Sequence, residues 1–166
     1  MGTNLVDKKQ DNFCEAIFSG FIFQDIRFAQ LPKSKGVYVI RIKSRGLPPP
    51  EIVVSADQTI AKLQWPMLKK SIFGRVERIK NIGECPLIYI GSAGAHKQSK
   101  RTLWDRYIDF SRGHTAMYPL WALLYFGWEL EYGWRIETES PASLEEDLKQ
   151  MYKQTHNDSL PALVSR

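Results

Sequence analysis

The sequence predicts an α/β domain in which helices flank a three-stranded antiparallel sheet, with a basic insertion between the first two core strands. Three observations lead there. Runs rich in β-branched and aromatic residues occur at 36–43, 86–91 and 128–138, and such residues suit a pleated, half-buried surface. Apolar residues recur at helical spacing in the segments that separate and follow these runs. From Lys62 to Lys80 almost every charge is positive, with Glu77 the exception.

In chain order, residues 1–12 are polar and are expected to be flexible. Phe13 to Gln30 mixes Phe18, Phe21, Phe23, Ile26 and Phe28 with polar residues, as a lead-in helix or strand packed on the sheet would. The turn Leu31-Pro32-Lys33-Ser34-Lys35-Gly36 delivers the first strand. Pro48-Pro49-Pro50 must leave it, because proline cannot donate to a ladder. The inserted segment, 44–85, is expected to be helical from Thr59 to Ile79, around Pro66. After the second strand a small, basic loop leads to a helix over about Thr102 to Arg112, with Asp105 and Asp109 facing water. The helix from about Ala116 to Phe126 is apolar all round, which predicts a buried central helix with Thr115 as its N-cap. The third strand, 128–138, alternates cleanly. The last helix, Pro141 to Thr155, carries an inner stripe of Leu144, Leu148, Met151, Tyr152 and Thr155. No repeat or second core is visible, so 1–166 reads as one domain.

Composition narrows the function. A net charge of +5 and a pI near 9.2 favour anionic partners. Two cysteines, Cys14 and Cys85, and three scattered histidines give neither a disulfide framework nor zinc-ligand spacing. The start lacks an apolar signal core, and no apolar run is long enough to span a bilayer, so a cytoplasmic protein without a membrane partner is expected. Lys69, Lys70, Arg75 and Arg78 in the insertion, with Arg101 and Arg112 further on, are candidate phosphate contacts. The plainer reading of such a run is a solvated helix face. Acidic residues gather elsewhere, at Glu129, Glu131, Glu137, Glu139 and Glu145 to Asp147, so nucleic acid is expected on the insertion side.

The chemistry-bearing pattern is Gly36-Val37-Tyr38 on the first strand and Tyr89-Ile90-Gly91 on the second. Leu103-Trp104-Asp105-Arg106 follows on a helix, with a glutamate some forty residues later. A strand tyrosine or a helix arginine alone is more often structural; the ordered set is more specific. It resembles the GIY-YIG nuclease superfamily over roughly Leu31 to Leu163, most like its small restriction-type members. The resemblance implies a divalent-metal-dependent DNA endonuclease. Tyr38 and Tyr89 would orient or deprotonate water, Arg106 would clamp the scissile phosphate, and one glutamate would hold Mg²⁺ (or Mn²⁺). A lone carboxylate with phosphate and water oxygens suits Mg²⁺.

At about 100° per residue, Glu145 lies near the Leu148/Tyr152 side of the last helix, whereas Glu146 points nearly opposite. Glu145 is therefore the candidate metal ligand, with Glu146 in reserve. A tyrosine pKa near 10 is high for a base, and Lys97 and Lys100 could lower it. His114 stands before the apolar helix as a cap, a packing residue or a phosphate contact. The chain departs from the family pattern in three ways. The gap between the tyrosine motifs is long, Ser92 stands where some members carry lysine, and Val164 ends a Pro-x-x-Asn-like stretch, leaving Asn157 as the candidate substitute.

With no separate DNA-binding domain, recognition would fall to the insertion or to surface loops, and a homodimer would be needed to cut both strands. RNA stays open beside DNA as the substrate. Two rivals remain, a non-catalytic nucleic-acid-binding module on the same scaffold and a protein-binding domain anchored by exposed tryptophans.

Overall fold

The computed structural model describes residues 16–96, 98–112, 114 and 116–164. The expected N-cap Thr115, the stretch 1–12 and Lys97 lie outside the described residues. Among the described residues one antiparallel sheet has four strands: β1 (Ile22–Asp25), β2 (Gly36–Ser44), β3 (Leu87–Ala93) and β4 (Glu129–Ile136), in the order β1-β4-β2-β3. The sequence-based count of three strands falls one short. The lead-in segment supplies β1, whose Ile22 to Asp25 pair with Trp134 to Glu131 of β4.

β2 is central and apolar, and alternation along it divides the core. Val37 and Val39 face one side, where they meet Leu87, Ile90, Leu148 and Tyr152. Tyr38, Ile40 and Ile42 face the other, with Leu130, Tyr132 and Trp134 of β4. The first face is covered by the C-terminal helix, α5 (Pro141–Thr155), and by Ile17, Phe18, Phe21 and Phe23. In α5 Leu148 and Tyr152 are buried, while Met151, expected on the inner stripe, is exposed.

The second face is covered by the insertion and by the two helices after β3. The insertion folds as α1 (Pro49–Ile60), α2 (Pro66–Val76) and a 3-10 turn (Glu77–Asn81). Helix therefore begins ten residues before the expected Thr59 and breaks at 61–65. Proline explains both edges: it lacks an N–H to donate and is tolerated at the first helical position, so Pro49 and Pro66 each open a helix. Next come α3 (Leu103–Arg112) and α4 (Met117–Tyr125). A reciprocal cap opens α3: Asp105 Oδ2 accepts from the Thr102 N–H and hydroxyl, both at 2.8 Å, and Thr102 Oγ1 accepts from the Asp105 N–H at 3.2 Å. The expectation that α4 is buried all round is corrected. Leu120 and Leu123 are buried, but Trp121 and Tyr125 are exposed, because α4 packs on the outside of the layer.

β3 is an edge strand, and its register with β2 slips between Ile40/Tyr89 and Arg41/Leu87. The slip is a bulge around Ile88, and it brings Ile88 and Tyr89 to the same face. Leu163 N–H donates to Ile88 O at 3.0 Å, partly closing the strand's open edge.

Candidate active site at the edge strand

Ile40 of β2 sits opposite Tyr89 on one side and Tyr132 on the other. Tyr38, two residues earlier, shares their face and leans between them. The three rings stack with interplanar angles of 12°, the Tyr38 centroid lying 5.9 Å from that of Tyr89 and 5.3 Å from that of Tyr132. Phe110 of α3 presents an edge-on contact to all three rings at 5.8 to 5.9 Å. Offset stacks closed by an edge-on ring are favoured aromatic geometry and hold the hydroxyls in place.

Burial differs along the stack. Tyr132 is 0% and Tyr38 2% exposed, whereas Tyr89 is only partly buried. Burial pushes the phenol of Tyr38 well above its ordinary value of 10, and Tyr132 behaves likewise. Tyr89 is also raised by burial, but a hydrogen bond from Tyr38 and the Arg106 charge pull it back.

His114 joins the cluster from the segment before α4. Its Nδ1 accepts from the Ala116 N–H at 3.1 Å, so the helix start that lacks a conventional cap is served by a histidine. Burial, then the Arg106 charge, holds His114 below its ordinary value of 6.5, favouring the neutral ring. With Nδ1 accepting, the proton of that ring is on Nε2, 3.3 Å from Tyr89 Oη. Tyr89 thus receives hydrogen bonds from two neighbours, Tyr38 and His114.

Arg106 approaches from α3. Its Nη1 lies 3.6 Å from Asp109 Oδ2, a carboxylate that also pairs with Arg101. Arg106 Nε is buried with no hydrogen-bond partner, and so is Tyr132 Oη. An unpaired buried donor on an arginine fits a ligand with acceptor oxygens. Arg75 of α2 is close enough to add to the field on His114, so the basic insertion reaches this end of the sheet.

Glu145 belongs to the other face, and its charge is felt by both Tyr38 and Tyr89. Ser92 Oγ donates to Glu145 Oε2, and Lys149 Nζ lies 2.6 Å from Oε1. Glu146 is exposed, accepts from Gln150 Nε2 at 2.9 Å, and lines a separate cavity of about 840 Å³ with Lys153 and Asp158.

Tyr38, Tyr89, Arg106 and His114 therefore lie near one another, and Glu145 adds its charge from the other face. The chain matches no family model, no curated protein and no solved structure. The site stands on its geometry.

The remaining candidates sit elsewhere. Asn157 has a φ of 51° in the turn that ends α5 and lines a cavity with Cys85 and Tyr152. Lys100, Lys70 and Arg112 are exposed, Lys69, Arg75 and Arg78 partly so, and Arg101 is engaged by Asp109. Sequence reasoning assigned no role to Tyr132, Ser92 or Lys149, and Asp109, expected to face water, is instead partly buried and paired with Arg101 and Arg106. Lys149 had a signal, since four residues after Glu145 is helical ion-pair spacing. Tyr132 had one too, in the alternation of the third strand, but its neighbour on β2 depends on register.

Among the described residues no three His, Cys, Asp or Glu side chains come together as a metal cage. Glu145 is a lone carboxylate near the tyrosines, and a lone carboxylate suits an ion that keeps most of its water.

Proposed function

We propose that the chain is a divalent-metal-dependent DNA endonuclease of the GIY-YIG type. The observation that carries this reading is that Tyr38 and Tyr89 stack on each other and feel the charges of both Arg106 and Glu145, although the four lie on four different elements.

Within it, Arg106 binds the scissile phosphate through its unpaired Nε and the rest of its fork. Tyr89 is the water-facing tyrosine, since Tyr38 is sealed in the stack. Two hydrogen-bond donors and a guanidinium offset part of the burial that raises its pKa, so Tyr89 orients the attacking water through its hydroxyl, while Tyr38 and His114 position Tyr89. Glu145 would hold Mg²⁺ or Mn²⁺ against the phosphate, supplying charge for the departing 3′ oxygen. Ser92 aims the carboxylate, and Lys149 keeps its charge balanced in the free protein. Cutting both strands would take two copies of the chain.

A specific observation favours the non-catalytic binding module instead. Lys149 already occupies Glu145, and burial holds both motif tyrosines protonated.

Incubating supercoiled plasmid and phage DNA with the protein and Mg²⁺, Mn²⁺ or EDTA decides between them, with Tyr38→Phe and Glu145→Ala run alongside. Discrete metal-dependent bands lost in both variants support a sequence-specific nuclease, and a smear supports an unspecific one. No cutting, with salt-sensitive DNA binding retained, moves the assignment to the binding module.

A further inference from the structure

The break between α1 and α2 exposes two large apolar side chains. Trp65 is 72% and Met67 83% exposed, more than most large hydrophobics of the chain. Isolated apolar residues on a surface need no explanation, but these two flank Pro66 where α2 begins, with Lys62, Lys69 and Lys70 within five residues of them in the chain. Between Asp57 and Glu77 there is no acidic residue. A large exposed aromatic in a segment whose only charges are cationic suits a polyanion that also offers flat apolar faces. A protein partner could also supply acidic groups for Lys62, Lys69 and Lys70, but it needs no such exclusion of acids from 58 to 76.

The outward side of α2 agrees. Met67, Lys70 and Ser71 are followed one turn later by Gly74, where an added Cβ would meet nothing within 4 Å. That face is low and open enough for a backbone to lie along it. At its other end Arg75 adds to the field at His114. From Arg75 back to Trp65 the helix covers roughly 15 Å at 1.5 Å per residue. Along a nucleic-acid strand that is about four base steps of 3.4 Å.

We infer that the apex of the insertion is a nucleic-acid contact surface, in which Trp65, backed by Met67, stacks on a nucleobase while Lys62, Lys69 and Lys70 hold the adjoining phosphates. The inference rests on the nucleic-acid part of the proposed function and adds the element that grips the strand away from the cutting centre. Stacking on an aromatic is tolerant of sequence, because every base has a flat face. The apex thus provides hold and registration rather than a base code.

The test is binding of the full chain to fluorescent duplex and single-stranded DNA across a salt series, without metal so that nothing is cut. Trp65→Ala is expected to weaken binding about tenfold, with the slope of log affinity against log salt unchanged. Lys69→Ala with Lys70→Ala is expected to flatten that slope by up to about 2 on duplex DNA. Unchanged melting of each variant establishes that the exposed changes leave the fold intact. Trp65→Ala binding as tightly as wild type would overturn the inference while leaving the nucleic-acid reading in place. A wild type that binds no DNA removes the reading and the inference together. A wild-type dimer that Trp65→Ala converts to a monomer in sedimentation, without a change in DNA affinity, would reassign the apex to self-association.

Discussion

Gly91 of β3 lies directly across from Tyr38 of β2, and a Cβ at Gly91 would stand 2.6 Å from the Tyr38 ring carbon Cζ and from its hydroxyl. The glycine of the second tyrosine motif is therefore the floor on which the tyrosine of the first one lies. Tyr38 cannot swing away, because Tyr89 and Tyr132 hold its two faces and Phe110 its edge. Gly91→Ala should destabilise the protein by about 1 to 3 kcal/mol, the usual range for overpacking a core. Urea unfolding measures it; a variant as stable as wild type would mean that the stack is loose.

The buried hydroxyls of Tyr38 and Tyr132 should respond differently to removal. Tyr38 donates to Tyr89, whereas Tyr132 Oη has no hydrogen-bond partner. Tyr38→Phe is expected to cost about 1 kcal/mol, and Tyr132→Phe to be neutral or slightly stabilising. The same urea series ranks the two, and the reverse order would contradict the hydrogen-bond assignment.

Acid should weaken the fold through His114. Burial and the Arg106 charge lower its pKa in the folded protein below the ordinary 6.5. A histidine depressed in this way leaves stability intact above pH 6.5. Stability then falls as the pH drops below 6.5, until the folded protein also takes up the proton. His114→Gln should remove that part of the pH dependence. Midpoints measured at pH 8 and pH 5 should therefore differ less in the variant than in wild type; equal differences would mean that His114 is not the titrating group.

Lys149 and a divalent ion would compete for Glu145, since the ammonium lies 2.6 Å from Oε1. Lys149→Met should raise Mn²⁺ affinity several-fold, and Glu145→Gln should abolish binding at this position with little effect on melting. Calorimetry with Mn²⁺ alone reads both without needing activity. A wild type and a Lys149→Met variant that both bind no Mn²⁺ would remove the metal from the proposal.

A duplex substrate should also respond to the arginine. Arg106→Lys keeps the charge but loses the planar fork and the buried Nε–H. Under the nuclease reading, plasmid cleavage is expected to fall at least tenfold while DNA binding stays within about twofold. A matched loss of both would make Arg106 a general contact rather than the phosphate clamp.

What the sequence alone determined here is local. A run of β-branched and aromatic residues marked β2, alternation marked β4, and Pro141 with a helical stripe reaching about Thr155 marked α5. Helix phase separated Glu145, which reaches Ser92, from Glu146, which faces another cavity. These features depend on neighbours within a turn or two of chain. Proline was legible as a breaker of β2 but not as a starter of α1 and α2, since the same missing N–H serves both roles.

Tertiary structure decided the rest. β1 is four residues long, and its strand state follows from pairing with β4 more than a hundred residues away. Tyr132 enters the tyrosine stack only because register sets it opposite Ile40, and a slip of one residue would turn it to the other face. The exposure of Trp121 on an apolar helix, the meeting of Ser92 with Glu145 across the edge strand, and the reach of Arg75 toward His114 are likewise products of packing between elements distant in sequence. Periodicity shows which side of an element is apolar; only the assembled layers determine what each side meets.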